Sequence, residues 1–277
     1  RLDKRLRRHG EDRELAEAVK FHRALEAGDK DAAFATLADV DDRKTFATKF
    51  AAEYDKAGSK GYGSAEAAID ANLEGLDVDR AKAYLDGKPM VAEAILAKQH
   101  LDDGKNEAFI SVLKNHQGDS RALCAAYRSK FDENLVDAID TRYANKPDLR
   151  DEARAYAEGD TLKGKAATVK RAANKKYLGF IRGTDEKAMN EALADLSKSD
   201  VKKVAAHYDK LSGGEKMAAR VHDELRHSGR DLFEAEMSLK GAPETAKEAL
   251  DQLAARAEYE RGGGFQRFLT NRFTKKG

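Results

Sequence analysis

Apolar residues recur three and four positions apart in short bursts along this chain, and each burst stops at a glycine, a proline or a polar cluster. Many short amphipathic helices are the expectation. From Asp12, Leu15, Ala18, Val19, His22 and Leu25 share one helical face, which Gly28 ends. A second helix is expected over Ala32 to Leu37, and a third carries Phe46, Phe50 and Tyr54. Beyond the glycine-punctuated loop from Gly58 to Gly63, a fourth centres on Ala68, Ile69 and Leu73. A fifth holds Val78, Ala81, Tyr84 and Leu85 before Gly87, and Pro89 breaks the chain there.

The five-helix programme, A to E, then runs again. In the second round Val91, Ala94, Ile95 and Leu101 mark helix A. Leu123, Cys124, Tyr127 and Phe131 mark C, and Leu135, Val136, Ile139 and Tyr143 mark D. The third round places Leu162, Ala166, Val169, Ala173 and Tyr177 on A, Val204 and Tyr208 on C, Val221 and Leu225 on D, and Leu232 to Leu239 on E. Gly28, Gly104 and Gly183 each open a turn into helix B, about 75 to 80 residues apart, and Gly263 continues the series. Tyr54, Tyr127 and Tyr208 fall near the ends of the C helices. The chain is therefore divided into a basic lead-in (1–11), three repeats (12–88, 89–161, 162–241) and a partial fourth repeat or capping helices (242–277).

Composition supports an all-α fold: alanine is abundant, there are only 3 prolines and no tryptophan, and β-branched runs are few. With 51 basic against 50 acidic residues, no global field draws the chain to nucleic acid, so any electrostatic function must be local. The single Cys124 excludes an internal disulfide and sits on an apolar face, as a structural thiol would. No run reaches the roughly 18 apolar residues of a membrane span. A segment removed ahead of Arg1 would leave no trace, so the compartment stays unassigned.

The five-helix unit with its turn Gly183-Thr184-Asp185-Glu186 resembles an annexin repeat. In that family a loop of the form basic-Gly-x-Gly-Thr-Asp-Glu joins A to B, and an acidic residue about 40 positions later completes a calcium site. The third repeat matches best, with Glu224 at the distant acid position. The departures are Ile181 in place of the inner glycine, and Asn72 and Arg142 at the acid position of the first two repeats. The alanine-rich makeup and cut ends suggest a module of a larger bacterial polypeptide, and the resemblance implies a divergent annexin-like protein with at most one calcium site. Its donors would be the carbonyls of Gly179, Ile181 and Gly183 and the carboxylate of Glu224, binding weakly.

Two readings of this stretch stand side by side. Calcium takes six to eight oxygen ligands, which such a loop could begin to supply with phospholipid phosphate completing the set. Alternatively, Gly183 ends one helix and Thr184 to Glu186 start the next, without metal. The basic run up to the turn, including Lys170, Arg171, Lys175, Lys176 and Arg182 with no acid among them, either attracts anionic lipid or pairs with acids of neighbouring helices. The Glu-x-x-His from Glu224 to His227 lacks the second copy a di-metal bundle needs, and no phosphate loop or nucleophile elbow occurs. No enzymatic activity is expected. The functional expectation is peripheral binding to anionic membranes, calcium-dependent through the third repeat if at all. The alternative is a helical scaffold for protein partners that has lost its calcium sites.

Overall fold

The structure, a computed structural model, describes residues 2–54, 62–177 and 181–261, with side chains from residue 13 onward except those of 176, 177, 181 and 182. The described residues are helical apart from one short hairpin. The chain divides into two compact units, Arg1–Leu135 and Val136–Gly277.

The first unit holds α1 (Leu2–Glu26), α2 (Lys30–Ala38), α3 (Arg43–Tyr54), α4 (Ala65–Asn72), α5 (Leu76–Leu85), α6 (Pro89–Asp103), α7 (Asn106–Asn115) and α8 (Ser120–Phe131). Helix α1 packs on α2, α3 and α4, while α5 closes against α2 and α4. Helix α6 takes the same central place among α5, α7 and α8. Pro89 begins α6 instead of merely breaking the chain. As the first helical residue it lacks only an N–H that would have no intrahelical partner.

In the second unit lie α9 (Leu135–Arg142, starting at the boundary), α10 (Pro147–Ala157), α11 (Thr161–Ala173), α12 (Glu186–Leu193), α13 (Lys198–Leu211), α14 (Met217–Leu225), α15 (Gly229–Leu239) and α16 (Ala246–Arg261). Helix α11 packs on α10, α12, α13 and α14, and α15 closes against α12 and α14. These are the partnerships of α1 with α2 to α5, so the A-to-E order expected from the sequence is an order in space as well. The result is an α-helical arrangement in which a central helix is ringed by its neighbours in each unit.

A helix surrounded on several sides must be slim. Helix α11 buries Gly164, Ala166, Ala167, Thr168, Val169, Ala172 and Ala173. A Cβ at Gly164 would stand 2.6 Å from the Tyr156 ring, so α10 meets the backbone of α11 almost directly. In α1 the centre of the buried face is Phe21, which meets Phe46 and Phe50 with ring centroids 5.9 Å away in each case. Leu15 and Val19 are only half-buried, whereas Glu14 is buried and accepts from the Asp42 N–H at 3.2 Å. The face read from periodicity was therefore rotated from the true one.

The C-helix tyrosines have a shared use in two cases. Tyr127 and Tyr208 are buried, and each donates its hydroxyl to a glutamate just beyond the helix, Glu133 at 3.2 Å and Glu215 at 3.0 Å. Desolvation and the nearby glutamate push both phenols up, which keeps them neutral donors. Tyr54 differs: it is half-buried and stacks on His22 at 3.8 Å. Cys124 is half-buried, and burial pushes its thiol up, away from the thiolate a nucleophile needs.

Candidate functional site

The turn that joins A to B is built differently in the third set of helices. Gly28 and Gly104 follow α1 and α6 in the left-handed conformation, with φ of 70° and 71°. In both cases the next N–H returns to a carbonyl of the last turn: Asp29 to Ala24 at 2.9 Å, and Lys105 to His100 at 2.9 Å. This satisfies orphan carbonyls and stops the helix within one residue. In the third set α11 has already ended at Ala173, capped by Asn174, well before Gly183. Gly183 therefore closes no helix, and Tyr177 is not on helix A.

Between them runs a hairpin, in which β1 (Lys176–Tyr177) pairs antiparallel with β2 (Ile181–Arg182), Lys176 opposite Arg182 and Tyr177 opposite Ile181. The ladder continues outward as the Gly183 N–H donates to the Lys175 carbonyl at 2.9 Å and the Asp185 N–H to the Ala172 carbonyl at 3.1 Å. Asp185, not Thr184, caps α12, accepting from the Ala188 N–H at 3.1 Å, the place that Asp29 takes ahead of α2. Burial alone would raise the Asp185 carboxyl. The Lys175 ammonium at 2.6 Å, the Ala188 N–H and the positive charges nearby outweigh it and hold the carboxyl below its ordinary range.

Of the four expected calcium donors, Gly179 lies outside the described residues. Ile181 stands in β2 opposite Tyr177, Gly183 ends the hairpin, and Glu224 lies in the last turn of α14. The loop and the distant acid do meet. The buried Thr184 hydroxyl donates to Glu224 Oε2. The other carboxylate oxygen, Oε1, lies 2.9 Å from Arg220 Nη2. Sequence reasoning missed Arg220, although a signal existed: it precedes Glu224 by one helical turn on a short helix. At the matching acid positions, Asn72 turns back to the Ala68 carbonyl at 2.8 Å, and Arg142 is exposed.

Two residues of the basic run are matched by acids of α10, and three others find partners elsewhere in the same unit. Lys170 lies 3.0 Å from Asp148 and 3.6 Å from Asp151, and Arg171 binds the fully buried Glu152. Glu152 also accepts from the Thr168 hydroxyl at 2.7 Å. Lys163 lies 3.3 Å from Glu158, and Lys165 donates to the Ala192 and Ala194 carbonyls at 3.1 and 3.2 Å. Lys175 is paired with Asp185. The side chains of Lys176 and Arg182 lie outside the described residues.

In the Glu-x-x-His stretch, His227 meets Arg226 at 3.0 Å, and Arg226 in turn meets Asp223 at 3.0 Å. Among the described residues, no group of three or more His, Cys, Asp or Glu side chains is placed to hold a metal ion, and no helix is long and apolar enough to cross a membrane.

No protein-family model and no curated protein matches the sequence. Among solved structures the chain is similar to the calcium-bound structure of alpha-14 giardin, an annexin-family protein, at 14% identity over 81% of this chain and 74% of that one, with a TM-score of 0.36.

Proposed function

We propose that this chain is a non-enzymatic, annexin-like helical module that serves as a scaffold for a protein partner. The observation that carries this reading is the fate of the basic run. Lys170, Arg171 and Lys175, which a membrane-binding face would hold out to anionic lipid, are instead paired with Asp148, Asp151, Glu152 and Asp185 of the same unit. A lysine already within 3.0 Å of a carboxylate has little left to gain from a lipid phosphate, since breaking one ion pair to make another is close to neutral.

The residues of the third turn do not fit a calcium ion as they stand. Both oxygens of Glu224 are engaged, one by a hydroxyl and one by a guanidinium, and a calcium ion would have to displace the arginine before it gained this carboxylate. A second reading, calcium-dependent binding to anionic phospholipid, draws on one specific observation: the contact of Thr184 with Glu224 joins the loop to the distant acid, as the family pattern requires.

Sedimentation with phosphatidylserine liposomes, in calcium and in chelator, decides between them. The scaffold reading expects the chain to stay in the supernatant in both buffers. Pelleting in calcium alone, weakened by reversing Lys170, Arg171, Lys175 and Lys176 to glutamate, would replace it with the membrane reading.

A further inference from the structure

We infer that Arg220 is a resident cation: its guanidinium joins the end of α11 to α14 as a bound divalent ion would, so this junction closes without metal. Nη2 lies 2.9 Å from Glu224 Oε1, donates to the Ala173 carbonyl at 3.2 Å and reaches Asn174 Oδ1 at 3.4 Å. Nη1 faces Glu215 at 3.6 Å. One planar cation thus gathers a carbonyl, an amide oxygen and two carboxylates. All are oxygen donors of the kind a hard divalent cation takes, and here they are served by the fork of N–H groups.

Two features of the surroundings suit a positive charge at this point. The Ala173 carbonyl belongs to the last turn of α11, where carbonyls lack helical partners and the helix dipole presents its negative end. Thr184 then holds the second oxygen of Glu224, so the carboxylate is fixed from both sides. Arginine and acid also occur as a pair. Counting back from the apolar residue after each D-helix acid position, the third set has Arg220 and Glu224 before Leu225. The first has Ala68 and Asn72 before Leu73, and the second has Ala138 and Arg142 before Tyr143. Only where the acid is present does a cation stand one turn ahead of it.

The test is thermal unfolding of the whole chain, followed by circular dichroism, in chelator and in millimolar calcium chloride. The parent midpoint should be the same in both buffers. Arg220→Met keeps the stem and removes the charge. Its midpoint should fall by several degrees in chelator and recover in part in calcium, as the freed oxygens accept the ion, and adding Glu224→Gln should abolish the recovery. Should Arg220→Met give no cooperative transition, Arg220→Gln, which keeps an amide donor, carries the same expectation. A parent stabilised by calcium, or charge-removed variants as stable as the parent or indifferent to calcium, would overturn the inference. No lipid enters, so this outcome is independent of the sedimentation result.

Discussion

The turns after α1 and after α11 solve one problem by two means. Each must end a buried helix and start a short one across it. After α1 the solution is local: Gly28 takes a left-handed conformation, and Asp29 caps α2 by accepting from the Ala32 N–H at 3.0 Å. The backbone bonds that end α1 and the Asp29 cap lie within a few residues, although Lys30 at the start of α2 also pairs with Asp77 of α5 at 2.6 Å, and the facing D helix carries the neutral Asn72. After α11 the backbone runs into a hairpin, and the closure is long-range: Arg220 and Glu224 of α14 reach Ala173, Asn174 and Thr184. A glycine turn is fixed by its own backbone, while a longer excursion has to be tied down by side chains from elsewhere. The resemblance to a metal loop is strongest where that tie is needed, and a side chain of the protein makes it.

The largest difference should appear on removing the tie. Arg220→Met leaves Glu224 without its charged partner and the Ala173 carbonyl without its donor. The loss should be about 1.5–3 kcal/mol in urea denaturation, the range for hydrogen bonds to charged groups. Asn72→Ala in the first set should cost no more than about 0.5 kcal/mol, because its amide only returns to its own helix. Equal costs would mean the two junctions are held alike.

Next come the glycines. A side chain at φ near 70° is penalised by about 1–2 kcal/mol, so Gly28→Ala and Gly104→Ala should each be destabilising by that order. Gly183, whose role is a ladder hydrogen bond through its backbone, should tolerate alanine with a much smaller loss. If Gly183→Ala proves the most damaging of the three, the turn after α11 depends on glycine after all.

The smallest effect is a pH dependence. The Asp185 carboxyl is held lower in the folded chain than in the unfolded one, so its contribution is fully present above the unfolded value, about 4, and fades as pH falls through the folded value. Asp185→Asn keeps a capping oxygen and removes the charge that pairs with Lys175, so it should cost a few tenths of a kcal/mol, at most about 1, at neutral pH and progressively less on acidification, read from denaturation midpoints across an acid series. The absence of any cost across the series would show that Asp185 acts only as a cap, a role asparagine fills equally well.

Much of this architecture was legible beforehand. Period-3.6 apolar spacing and glycine stops such as Gly28 and Gly104 place the helices, because those signals act over a few residues. What escaped was set by tertiary context. Phe21 was overlooked in favour of Leu15 and Val19 because a helix contacted by α2, α3 and α4 is buried on more than one stripe. Two-residue strands are too short to show alternation, so the hairpin read as the end of a helix and Tyr177 was assigned to α11. Charge in sequence left two readings of the run from Lys163 to Lys175, lipid attraction or pairing with neighbouring acids, and the packing of α10 beside α11 brings the acids that pair with Lys170 and Arg171. For the candidate site, the meeting of the turn with Glu224 could be anticipated from the family pattern. Arg220 was missed despite its one-turn spacing from Glu224, because an arginine so placed on a helix ordinarily reads as an exposed pair.

The central claim is that Arg220 and Glu224 act together in closing the third junction, and a double-mutant cycle tests it most directly. Urea denaturation of the parent, Arg220→Met, Glu224→Gln and the double variant gives the coupling energy. Each residue retains about one fifth of its side-chain exposure, at 22% and 19%, so the pair is neither freely solvated nor fully desolvated. The account predicts a favourable coupling of about 1–2 kcal/mol, with the double variant clearly more stable than additivity would allow. Single costs that simply add, leaving a coupling below about 0.3 kcal/mol, would contradict it.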